Sequence, residues 1–194
     1  MNPFRQIKFL LRITSTHDIA RRYFVVNGFD GALTMLGIIM GFYISESGSL
    51  IVIINACMGA AIALGVSGVS SAYVSEQAER RRALGELEEA MVTDLQDGAH
   101  AQAARWVPIF IGLVNGLAPL LISFLIIMPL WFSNAGIELF ISPVYVSIII
   151  AVSLIFLLGV FLGRISNISW LRSGAQTLLI ALVTILLIYL FVGS

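Results

Sequence analysis

Five long apolar runs decide what this chain can become: 23–44, 50–74, 106–132, 142–163 and 173–192. A helix needs roughly 20 mainly apolar residues to cross the hydrocarbon core of a bilayer. The runs are continuous and do not alternate with polar residues, which argues against the strands of a membrane barrel. The expected fold class is therefore all-α, a polytopic membrane protein with five transmembrane helices. Charge supports the same solvent. Hydrophobic residues make up 59% of the chain and charged ones 11%, against about 25% in a soluble domain.

The basic residues fix the expected topology. Arg5, Lys8, Arg12, Arg21 and Arg22 precede the first run; Arg80, Arg81, Arg82 and Arg105 lie between the second and third; Arg164 and Arg172 lie between the fourth and fifth. Five spans put all of them on one side. The opposite loops carry Glu46 and Glu138 and no Lys or Arg. By the positive-inside rule the N-terminus and residues 75–105 face the cytosol, and the C-terminus faces outside, in a cell membrane. The chain divides into a basic N-terminal cytosolic or interfacial segment (1–22), two spans (23–74), an acidic cytosolic helical segment (75–105) and three spans (106–194). Residues 1–22 lack the apolar core and cleavage site of a signal peptide.

Asp30 is the anomaly. It lies within a span, in Asn27-Gly28-Phe29-Asp30-Gly31-Ala32-Leu33. A carboxylate at mid-membrane costs ~2.5–3.5 kcal/mol on insertion scales, so such a residue is expected to face a cavity or a partner. No Lys or Arg lies within any span, which leaves a proton or a metal ion as counter-charge. The alternative is that Asp30 sits near the cytosolic end of its helix and reaches the headgroups. Asn27, Gly31, Met35, Ser67 and Ser71 are candidates to line a pore beside it. Gly37 and Gly41, and the small residues of the second span, suit close helix packing. Met35, Met40 and Met58 carry soft thioethers, which suit transition metals but serve equally as packing.

Residues 75–105 hold most of the acids. Leu84, Leu87, Met91 and Leu95 form one helical stripe, while Glu79, Glu86 and Asp97 align on another, with Glu89 roughly 60° away. Asp94 adds a further carboxylate, and Gly98 is the expected stop. An amphipathic cytosolic helix between the second and third spans is thus expected. Its acids Glu79, Glu86, Glu89, Asp94 and Asp97 either collect divalent cations or form a solvated face laced by pairs such as Glu86 with Arg82. Cys57 is the sole cysteine, and His17 and His100 are not at ligand spacing. No catalytic motif and no phosphate-binding glycine loop is present. An enzyme, a permanently bound cofactor and a nucleic-acid partner are not expected.

The order of these features resembles the vacuolar iron transporter family over about residues 21–193. Asn27-Gly28-Phe29-Asp30-Gly31 looks like its Asp-Gly signature, and Ala72-Tyr73-Val74-Ser75 like its Glu-Tyr-Val-Ser stretch. Pro108 with Gly116-Leu117-Ala118-Pro119-Leu120, Phe156-Leu157-Leu158-Gly159 before Gly163-Arg164, and Arg172-Ser173-Gly174-Ala175 follow in family order. The resemblance implies a homodimer with a pore at its two-fold interface. It also implies export of Fe²⁺ or Mn²⁺ from the cytosol against protons. In it Asp30 is the intramembrane metal ligand, and the acidic segment is a shortened metal-collecting domain. The chain departs from the family at Ala72, where Glu is usual, and at Gly68, where Met is usual. The other readings are a non-transporting membrane metal sensor or scaffold, and a transporter of another solute in which Asp30 serves only protons.

Overall fold

A computed structural model describes residues 16–46, 48–92, 99–138 and 140–193. Among them all regular structure is helical: α1 (Thr16–Ile44), α2 (Leu50–Met91), α3 (Ala99–Asn134), α4 (Pro143–Ile165) and α5 (Trp170–Val192). All five are long and apolar enough to cross a membrane. The chain is an integral membrane protein of helical type.

The acidic segment departs from expectation. Residues 75–91 prolong α2 instead of forming a helix of their own, and α2 reaches 42 residues. At 1.5 Å per residue that is about 63 Å, roughly twice the hydrocarbon thickness. The cause is local. Between Ser75 and Met91 the chain holds no proline and many strong helix formers (Glu, Gln, Ala, Arg, Leu), so nothing ends the helix at the apolar boundary. It stops where Val92 takes a left-handed φ of 49°. Leu95, Asp94, Asp97 and the expected stop at Gly98 lie outside the described residues, as does most of the basic N-terminal segment.

The helices contribute to two compact units. Among the described residues, the first comprises those up to Phe24 together with those within Val66–Leu117. Its core is Ala72, Ala103, Val107 and Ile111, with Ile19 and Tyr23 packed against it. Here α2 and α3 approach closely because glycines allow it: a Cβ on Gly68 would lie 3.1 Å from the carbonyl oxygen of Asn115, and one on Gly112 would lie 3.1 Å from that of Val69.

The second unit comprises Val25–Gly65 and Ala118–Ser194. Ala32, Met35, Leu36 and Ile39 of α1 repeat at helical spacing and meet Ile54, Cys57 and Ala61 of α2, Ile122, Ile126 and Leu130 of α3, and Ile155 of α4. In a bilayer such contacts are held by close packing, not by exclusion of water. Small residues mark the tightest points. Gly31 abuts Pro119, whose Cα would be 2.8 Å from an added Cβ, and Gly163 abuts Ser173 at the same distance. Gly159 leaves no space for a side chain beside Thr177. The α4–α5 connection is short, and Asn167 takes a positive φ of 53° in it. Leu179, Leu182, Leu186 and Leu190 of α5 are exposed, as suits a lipid-facing helix.

Candidate functional site

Asp30 sits on α1 between two buried glycines. A Cβ on Gly28 would lie 3.4 Å from Ile122, and one on Gly31 would meet the Pro119 backbone. The glycines press that face of α1 onto α3. Asp30 is set 100° round from Gly31 by helix geometry and emerges on the exposed surface of the chain. It borders a groove of about 180 Å³ whose walls include Val26, Phe29, Leu158, Leu162 and Ile180. The one hydroxyl there, on Thr177, donates to the Gly174 carbonyl at 2.9 Å. The walls are therefore apolar in effect. Among the described residues no basic side chain forms an ion pair with Asp30.

The other predicted site residues are not gathered round it. Met35 is fully buried in the core, and Gly31 is closed off by Pro119. Neither forms an open wall within this chain, because the α1 face that carries them is the packed one. Asn27 is partly buried. Ser67 and Ser71 are exposed, and the Ser71 hydroxyl donates to the Gly68 carbonyl at 3.4 Å.

On the acidic stretch, Glu79, Glu86 and Glu89 are all exposed. Glu86 accepts from Arg82 Nε at 2.8 Å, the pairing the sequence offers. Among the described residues no three acidic, His or Cys side chains converge to hold a metal ion. Asp94 and Asp97 lie outside those residues. Leu84 and Leu87 are partly buried and Met91 is exposed, so the apolar stripe of this stretch is partly covered.

Two features escaped the sequence reading. Glu76 is buried, at 8% exposure, and lies 3.6 Å from Arg80 Nε. Its signal was available: Glu76 follows buried Ala72 by one turn, and Arg80 follows Glu76 by another. Tyr43 and Tyr145 share a hydrogen bond between their hydroxyls at 2.7 Å, with rings edge to face. That contact joins residues on α1 and α4 and has no local signature.

No family model matches the chain. The chain is similar to the uncharacterized protein MJ0645 of Methanocaldococcus jannaschii, 29% identical over 189 residues that cover 96% of this chain and 95% of the relative. The similarity spans nearly the whole of both chains, so it takes in all five helices and both stretches that carry the acids.

Proposed function

We propose that the chain is a divalent-metal transporter of the vacuolar iron transporter type, carrying Fe²⁺ or Mn²⁺ out of the cytosol in exchange for protons. The observation that supports this is the position of Asp30: a carboxylate on the exposed face of a membrane-crossing helix, among apolar walls, with no ion-paired basic side chain among the described residues. Left against lipid, it would be costly. A second copy of the chain covering this face removes the lipid and brings two such carboxylates near one axis. Two close carboxylates resist joint ionisation, so either a proton or a divalent cation neutralises them. The two occupants exclude each other, which is the physical basis of antiport, and rocking of helices round the fixed site would alternate its access.

In this reading the basic loops and the 75–91 end of α2 are cytosolic, and Glu79, Glu86 and Glu89, with Asp94 and Asp97, raise the local cation concentration at the entrance. The exposed serines Ser67 and Ser71, and Asn27, offer polar groups along the path.

The test is Mn²⁺ flux into proteoliposomes under an imposed proton gradient. Wild type should accumulate Mn²⁺, and Asp30→Asn should reduce flux to the level of empty vesicles while still purifying as a folded protein. Equal flux in that variant would remove the mechanism.

One observation favours a second reading, a non-transporting metal-binding or scaffold protein of the same fold. The position where the resembled family carries Met is Gly68, and the Asn115 carbonyl stands 3.1 Å from where its Cβ would be. The position of the family's Glu is Ala72, buried in an apolar cluster. Metal binding without flux would identify that case.

A further inference from the structure

The first unit contains a groove of about 370 Å³ between α2 and α3. Arg81 of α2 and Arg105 of α3 both line it, with Leu84, Glu88 and Ala104. The two arginines differ from their neighbours in the same sequence. Arg80 is committed to Glu76 one turn back, and Arg82 to Glu86 one turn on. Arg81 has Gln77 and Gly85 at those positions, and Arg105 has Ala101 and Ile109. Neither therefore has a carboxylate within reach along its own helix, and neither forms an ion pair among the described residues. Two guanidiniums facing one cavity are suited to a phosphate, which they grip in paired hydrogen bonds. They repel a divalent cation, so this groove is not part of the metal path.

The surroundings indicate where the phosphate comes from. Trp106, beside Arg105, is exposed, and exposed tryptophans settle at the membrane–water boundary. From Arg105 a line of exposed apolar side chains descends α3 one turn at a time: Ile109, Leu113 and Leu117. A free phosphate has no use for that track, whereas acyl chains do.

We propose that Arg81 and Arg105 hold the phosphodiester of one anionic glycerophospholipid, with its chains along Ile109 and Leu113. The site is independent of the metal-transport reading.

The test is native mass spectrometry of the full chain released from detergent, titrated with phosphatidylglycerol, phosphatidylcholine or inorganic phosphate. Wild type should retain one phosphatidylglycerol per chain, at least about tenfold more tightly than phosphatidylcholine. Arg81→Gln/Arg105→Gln should weaken retention by about thirtyfold. Ala104→Leu, which keeps both charges and fills the groove, should weaken it as well. Arg164→Gln/Arg172→Gln, which removes as much charge from another loop, should leave it unchanged. Equal loss in that control, equal retention of phosphatidylcholine, or unchanged binding in either groove variant would overturn the proposal. Displacement of the lipid by an equal concentration of inorganic phosphate would overturn the lipid assignment.

Discussion

The side-chain amide of Asn115 donates a hydrogen bond to the carbonyl oxygen of Gly68, 2.8 Å away on the neighbouring helix and 47 residues earlier in the chain. The bond and the missing side chain at Gly68 belong together, since a Cβ there would crowd the Asn115 carbonyl. Asn115→Leu should cost about 1 kcal/mol in unfolding, the usual range for a polar contact between membrane helices. Gly68→Leu should cost more, because it separates the helices as well as the bond. Reversible denaturation in mixed micelles measures both, and equal stability of Gly68→Leu and wild type would contradict the close approach.

The α4–α5 pair should be as intolerant of bulk. Gly159→Ala places a methyl group where the Thr177 side chain already sits, and overpacking of this kind costs roughly 1–3 kcal/mol. Thr177→Ala in the same chain should return most of the loss. That non-additivity is the signature of direct contact. Two independent losses that simply sum would show that the residues do not touch.

Glu76 and Arg80 are expected to behave as a pair. Both side chains are largely buried, at 11% and 18% exposure. Glu76→Gln leaves the Arg80 charge uncompensated and should destabilise by roughly 1–3 kcal/mol. Replacing both with neutral residues should cost less than the single change. Thermal unfolding of the three variants decides it, and a double variant worse than either single one would refute the pairing.

Asp30 is expected to trade stability for activity. A carboxylate on an exposed membrane face is kept against a cost, so Asp30→Leu should raise stability by about 1–3 kcal/mol while ending Mn²⁺ flux. A variant that lost both stability and flux would recast Asp30 as part of the packing.

How much of this was legible follows from the physics of each feature. The five helices were legible because a span needs an unbroken apolar run, and each of the runs beginning near Tyr23, Leu50, Trp106, Ser142 and Ser173 supplies one. The separate acidic helix was misread because the loss of apolar residues near Ser75 was taken for a helix boundary, whereas the backbone responds to propensity and continues to Met91. Asp30 was legible as a charge in the wrong solvent. Which face it occupies was not, since that depends on Gly31 meeting Pro119, nearly ninety positions away by the numbering. Met35 was a candidate to line a pore or to serve as packing, and it is fully buried in the core. Composition identifies the atom but not the direction in which it points.

The crossing at Gly68 has a mechanical consequence. The second helix stays packed from that glycine to buried Glu76 and then runs without interruption to Met91, about 23 Å of stiff rod. A pivot of about 10° at its base would sweep the far end sideways by roughly 4 Å. Glu79, Glu86 and Glu89 ride on that lever arm, so a small rotation at the base would be amplified into a larger displacement of the acidic tip.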